Sequence, residues 1–298
     1  MQPTLLILAA GMATRYGSMK QTQAFGPDGE TIMDYSIYDA IQAGFGKVVF
    51  VIREDFAEYF KAIFEPKLKG RIATAYVYQE LTDNMHGQAV PDNRKKPWGT
   101  AHAVLSATDA ISEPFAVINA DDFYGSDAFE KAAAFLQNEC NEKNWSIIGY
   151  ELRKTLSENG TVSRGVCEVN ETGQLVSIVE RIKIYSEADK LIYEDENGKH
   201  EMSSGTKVSM NFWCMHQTAF AHIDNLFRDF VRDNSDNPKA EFFIPLIAQK
   251  FIDEGGVIEL IPTGEQWFGV TYKEDAPVVQ ETISQLVSSG KYPEALWK

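Results

Sequence analysis

The chain has 298 residues, 44% of them hydrophobic and 24% charged, the balance of a globular protein long enough to bury a sizeable core. Its formal net charge of −15 disfavours nonspecific attraction to nucleic acid or to anionic lipid, so neither is an expected partner. The cysteines, Cys140, Cys167 and Cys214, form neither a metal-type pair nor a disulfide framework, and the histidines are scattered; buried thiols in a reducing cytoplasm, with no zinc, are the expectation.

The first apolar run extends from Leu5 to Ala10. Met1-Gln2-Pro3-Thr4 supplies no basic residue before it, and it is too short to span a bilayer, so it reads as a buried strand rather than a secretory signal or a membrane helix. TIMDYSIYDAIQAG then reads as a helix ended by Gly44, KVVFVI as a strand, FAEYFKAIF as a helix and TAYVYQ as a strand. TAHAVLSATDAI reads as a helix, FAVINADD as a strand and AFEKAAAFLQNE as a helix. This alternation, with strands apolar on both faces, predicts a parallel sheet covered by helices.

From Trp145 the pattern changes. WSIIGYEL, GVCEVN, LVSIVERIKIY, LIYEDENGKHEM and KVSMNFWCM read as strands, with turns at Glu171-Thr172-Gly173 and Glu196-Asn197-Gly198. The helices FAHIDNLFRDFVRD and FFIPLIAQKFIDEG, the strand VIELIPT and the helix PVVQETISQLVSS follow. No linker or internal repeat divides the chain. The reading is one mixed α/β domain over 1–298, with a nucleotide-type half at 1–144 and a strand-rich half at 145–298. Two polar segments, 81–97 and 185–206, read as long loops; the first is expected to act as a lid that orders when nucleotide binds, and Arg94-Lys95-Lys96 within it as a solvated run.

Ligands of such sheets lie at the carboxyl ends of the strands, where the first loop, Gln79 and Asp121-Asp122 all fall. In LAAGMATRYGSMKQ, Gly11 and the small residues Ala9, Ala10 and Ala13 let a ligand approach the backbone amides, which can form an anion nest. Arg15 and Lys20 add full charges for phosphate. A plain strand–helix turn with exposed cations would give the same letters. The loop is neither a Walker loop nor a GxGxxG dinucleotide loop, which argues against kinase and dehydrogenase. In PFAVINADDFYG a strand delivers two carboxylates to its end, suiting Mg²⁺ held by one or two carboxylates, phosphate oxygens and water, with Asp121 as ligand and Asp122 in support. An inert acidic turn is the alternative. His102, read alone, is a packed or capping histidine.

With these motifs in order, the chain resembles the sugar-1-phosphate nucleotidyltransferases. The resemblance rests on LAAGMATR with Lys20, PWGTAHAV at 97–104 and NADDFYG at 119–125, and continues through VSIVERIKI, VSMNFWCM, AEFFIPLIAQKFIDEG and WFGVTYKED. GTAHAV is similar to the N-acetylglucosamine-1-phosphate uridylyltransferase branch, and the glucose-1-phosphate thymidylyltransferases are comparably near. The resemblance implies a Rossmann-like fold with a mixed, mostly parallel central sheet flanked by helices and a strand-rich acceptor half. It implies a Mg²⁺-dependent reaction of an NTP, UTP or dTTP foremost, with a sugar 1-phosphate to give an NDP-sugar and pyrophosphate. Arg15 would then stabilise pyrophosphate and Lys20 the α-phosphoryl group, with Leu8, Ala10, Gly11, Met12, Ala13 and Thr14 along the nucleotide. Gln79, Gly99 and Thr100 would read the base. Glu180, Asn211 and Gly165 would meet the sugar, and Arg181, standing where the family has lysine, its phosphate. Gly269-Val270-Thr271 stands where members place an aspartate or asparagine for the metal, leaving Thr271 as a weak ligand beside Asp121 and Asp122. A nucleotide-sugar-dependent glycosyltransferase, or a noncatalytic homologue of the fold, are the competing readings; the first does not need the Arg15/Lys20 loop. The oligomeric state stays open, a homo-oligomer included.

Overall fold

The computed structural model describes residues 1–11, 23–270 and 274–298. Among them an 11-stranded sheet runs through both halves of the chain. Its parallel block contains, in spatial order, β3 (Ala73–Tyr78), β2 (Lys47–Ile52), β1 (Thr4–Leu8) and β4 (Phe115–Asn119). Beyond β4 lies β11 (Lys207–Met215), antiparallel to it and bonded also to β6 (Asn144–Glu151) and β7 (Val162–Val169). From β7 an antiparallel meander continues through β8 (Leu175–Glu187), β9 (Lys190–Asp195) and β10 (Gly198–Met202). β12 (Val257–Pro262) runs parallel to β6, and β5 (Asp122–Phe123) with β13 (Phe268–Gly269) forms a separate two-stranded ribbon.

The central strands are apolar on both faces because both faces are covered. Leu5 and Ile7 of β1 point into a core shared with α1 (Ile32–Gln42), α2 (Ala57–Leu68) and α4 (Ser126–Asn138). Leu6, between them, points the other way, into a core built with α3 (Thr100–Leu105), α5 (Ala219–Asp233) and α6 (Ile244–Asp253). A third cluster packs Val279 and Ile283 of α7 (Asp275–Ser288) against Phe25, Tyr35 and Phe123. The α/β class expected from the sequence is thus observed. No described helix is long and apolar enough to cross a membrane.

Three expectations change. The segment 185–206 is not a loop but most of two hairpins, because Leu191 and Ile192 bury their side chains and Ala188 and Asp189 adopt the positive φ values, 48° and 64°, of a tight turn. The segment 81–97 has no helix or strand, yet Arg94 within it is buried. Its guanidinium lies 3.4 Å from the ring centroid of Trp98 and donates through Nη2 to the carbonyls of Pro97 (2.9 Å) and Ala240 (2.8 Å), so the flat cation is held on its face and at one end. Lys95 and Lys96 remain exposed. The helix expected from Thr100 stops at Leu105, where the hydroxyls of Ser106 and Thr108 bond back to the carbonyls of His102 and Leu105.

Candidate active site

The parallel register sets Leu8 level with Val51 on one side and Asn119 on the other. Two backbone bonds, Ala9 N–H to Val51 O (2.8 Å) and Ala120 N–H to Leu8 O (3.2 Å), carry this alignment past the strand ends. Leu8, Ala10 and Gly11 therefore leave the sheet beside Asp121. Gly11, at the end of the described part of this segment, is exposed. Met12, Ala13, Thr14, Arg15, Lys20 and Thr271 lie outside the described residues.

On the β3 side the expected base-reading residues come together. Gln79 is buried, its Nε2 donating to Gly99 O (3.2 Å) and lying 3.1 Å from His102 Nδ1. Gly99 has φ +113°, and a Cβ there would sit 2.5 Å from Phe242 O, so only glycine lets this turn seat against the chain entering α6. Phe242 N–H donates to Trp98 O (2.5 Å) and Ala101 N–H to Phe242 O (3.0 Å). The Thr100 hydroxyl accepts from Ile244 N–H (3.2 Å), so it joins the start of α3 to the start of α6.

At the end of β4 the two carboxylates part. Asp121 is half-buried, whereas Asp122 turns inward, and its Oδ2 accepts from Asn119 Nδ2 (2.8 Å) and from the Tyr124 hydroxyl (3.3 Å). Burial, reinforced by the charge of Asp122, pushes the Tyr124 phenol far above its usual range and keeps it a donor. Asn119 Oδ1 accepts from Asn211 Nδ2 (2.7 Å), and Trp213 Nε1 donates to Asn211 Oδ1 (3.0 Å). Asn211 reaches this position from a bulge in β11, where its φ is +62°. Opposite Asp122 on the ribbon stands Gly269, and a Cβ there would fall 2.6 Å from Asp122 Oδ1. The Asp122 carboxylate thus fills the space a longer side chain at 269 would need. The half-buried Asp121 carboxylate, completed by phosphate oxygens and water, suits Mg²⁺, with Asp122 in support behind it. Among the described residues no group of three or more His, Cys, Asp or Glu side chains gathers to hold a metal.

Farther along the edge, Gly165 of β7 pairs with Glu180 of β8 and with Ser209 of β11. Arg164 pairs with Arg181. The Arg181 guanidinium lies 4.6 Å from the ring centroid of Tyr193, while the cation whose charge acts on Glu180 is Arg164, which sequence reasoning missed although it precedes Gly165. Arg164 is 8% exposed, lies 4.8 Å from the ring centroid of Trp267 and donates to Thr155 Oγ1 (3.2 Å), Thr155 O and Ser163 O (2.9 Å). Burial pushes its guanidinium down to about 10, and the charges of Asp122 and Glu180 pull it back up. Burial raises the Glu180 carboxyl, with Arg164 opposing. A cavity of about 650 Å³ opens beside Arg164, lined also by Arg153, Tyr185, Trp267, Gly269 and Asp275. Asn119 and Tyr124, likewise missed, flank the acidic pair in the sequence. The cysteines are free, and burial pushes the Cys140 and Cys167 thiols up to about 12.

The sequence model of the family described as nucleotidyl transferase matches residues 4–185. No curated protein matches the chain by sequence. Among solved structures, the inositol-1-phosphate CTP transferase from T. maritima is similar with a TM-score of 0.63 at 15% identity, over 96% of this chain and 96% of that one. UDP-glucose pyrophosphorylase, solved with UDP-glucose, is similar with a TM-score of 0.62 at 15% identity, over 96% of this chain and 99% of that one. At these identities the likeness speaks for the fold.

Proposed function

The chain belongs to the nucleotidyl transferase family, and from that premise we propose that it joins UTP or dTTP to a sugar 1-phosphate, giving an NDP-sugar and pyrophosphate. The observation that carries this reading is the register of the parallel block. It aligns the end of β1 with the acidic end of β4, while Gln79 and Gly99 stand together at the same edge. A nucleotide laid along that edge would meet Gln79, the end of β1 and the carboxylates in order.

In the reaction, an oxygen of the sugar phosphate forms a bond to the α-phosphorus. The bond from α-phosphorus to the bridging oxygen breaks, and pyrophosphate leaves with the electron pair. A phosphate monoester is largely dianionic at neutral pH, its second pKa being about 6, so no general base is needed. The obstacle is bringing polyanions together, and catalysis is positioning with charge neutralisation. Arg15 is assigned to the leaving pyrophosphate and Lys20 to the α-phosphoryl group. Asp121, with Asp122, would hold Mg²⁺, which supplies charge neutralisation to the phosphates when bound. Glu180 is assigned to the sugar hydroxyls beside Gly165. Asn211 acts through its bond to Asn119, and the charge of Arg164 opposes the burial that raises the Glu180 carboxyl.

Pyrophosphate release, measured with a panel of NTPs and sugar 1-phosphates in the presence of Mg²⁺, tests the reading. UTP or dTTP should support turnover, and Asp121→Asn should lower it at least about a hundredfold with the fold intact. Turnover that survives both EDTA and Asp121→Asn would overturn the role given to the acidic end, and no pyrophosphate from any pair would overturn the reaction.

A further inference from the structure

A buried amide has two orientations, and its neighbours decide between them. Gln79 Nε2 faces Gly99 O at 3.2 Å and His102 Nδ1 at 3.1 Å. Gly99 O can only accept. His102 Nε2 lies 3.2 Å from the carbonyl of Asp83, which also can only accept, so Nε2 carries the proton. The ring is wholly buried, packed 4.7 Å from the ring centroid of Phe227, and burial pushes its pKa down to about 4, so it is neutral and Nδ1 is a lone pair. Both groups facing the Gln79 nitrogen are therefore acceptors. Flipping the amide would set its oxygen against both.

We infer that His102 is a positioning residue for base selection: anchored on the Asp83 carbonyl, it locks Gln79 with the NH₂ group inward and the Oε1 acceptor left for the nucleobase. The inference rests on the proposed nucleotide reading and deepens it. A fixed acceptor favours a pyrimidine that brings a proton on N3, as uracil and thymine do, and opposes cytosine, whose N3 is itself a lone pair. Loosening the lock lets the amide turn and offer NH₂ to that lone pair. Neither His102 nor Asp83 needs to touch the substrate.

Binding of UTP and of CTP with Mg²⁺, measured by calorimetry without an acceptor sugar, reads the effect. The wild-type protein should favour UTP. His102→Phe keeps the ring against Phe227 and removes Nδ1, and should shrink the UTP-to-CTP preference by about fivefold, the value of one hydrogen bond. His102→Asn, whose amide oxygen can stand at the Nδ1 position, should recover most of it. A merely structural histidine would change both affinities alike, so a folded His102→Phe variant with the wild-type ratio would overturn the proposal. A wild-type preference for CTP would do the same. If His102→Phe does not fold, the nitrogen-15 shifts of His102 in the wild-type protein decide: protonated Nε2 with bare Nδ1 is expected, and the opposite tautomer ends the argument. Failure of both nucleotides to bind would instead overturn the functional reading and leave the tautomer result standing.

Discussion

Asp122 and Gly269 occupy one volume between them. The Asp122 carboxylate sits where a side chain at 269 would begin, 2.6 Å from the position of its Cβ, and is held there by Asn119 and Tyr124. Gly269→Ala must displace either the carboxylate or the ribbon, and overpacking of this kind costs about 1–3 kcal/mol. The loss should be seen in urea denaturation. It should largely vanish when the same change is made in an Asp122→Ala background, since the two residues share the space and their effects cannot add. Equal losses in both backgrounds would mean that the ribbon, not Asp122, takes up the strain. In the sequence, Gly269-Val270-Thr271 lacks the carboxylate that family members place there, which favours the reading as a homologue without chemistry. Only the pairing of the two short strands, which no local pattern encodes, reveals that a neighbouring carboxylate already stands there.

Elements with strong local periodicity were legible, and those decided by distant contacts were not. The runs LLIL, KVVFVI and FAVIN become β1, β2 and β4 because burial on both faces needs continuous apolar letters. Gln79 and Asp121 followed from their places at strand ends, and Gly99 from the resemblance carried by GTAHAV. Arg164 and Arg181 could not be told apart, because they pair with each other across β7 and β8 and only distant rings, Trp267 for the first and Tyr193 for the second, distinguish them. The burial within 81–97 escaped the sequence for the same kind of reason. Composition reads it as free loop, yet Trp98 Nε1 donates to Leu81 O (2.9 Å), Met85 is buried and Arg94 bridges Trp98 to the chain before α6. The segment should therefore be ordered without nucleotide. Arg94→Ala removes a buried stack and leaves the Pro97 and Ala240 carbonyls without their donor, a loss of about 1–3 kcal/mol. Hydrogen exchange should quicken across 81–97 in that variant, at the Gln88 and Arg94 amides that donate to Met85 O and Pro91 O. Fast exchange there in the wild-type protein, slowed only by nucleotide, would restore the lid.

Across the whole molecule, the charge of −15 raises the question of how carboxylates are kept inside. On α1, Asp34 and Asp39 are buried, and the end of the chain answers them: Trp297 Nε1 donates to Asp34 Oδ1 (2.9 Å) and the Tyr292 hydroxyl to Asp39 Oδ2 (2.7 Å). Lys67 completes Asp34 at 2.8 Å. Among the described residues no cation pairs with Asp39, and burial pushes its carboxyl up to about 7, the Tyr292 hydrogen bond opposing. Its contribution to stability is complete below the ordinary carboxylate value of 3.8 and is lost as pH rises to about 7. His102, pushed down from 6.5 to about 4, runs the other way: its contribution is complete above 6.5 and is lost as pH falls to about 4. Between those limits the native chain holds one proton on Asp39 that the unfolded chain has released, and lacks one on His102 that the unfolded chain has taken up. The two slopes oppose each other. Asp39→Asn keeps the oxygen that accepts from Tyr292 and removes the titration, leaving His102 unopposed. Relative to the wild-type protein, the variant should gain about 3 kcal/mol of stability as pH is raised from 4 to 6.5. Urea denaturation of both proteins across that range measures the difference, and parallel profiles would show that Asp39 is ionised in the native state, with Tyr292 and the chain end able to hold a buried charge.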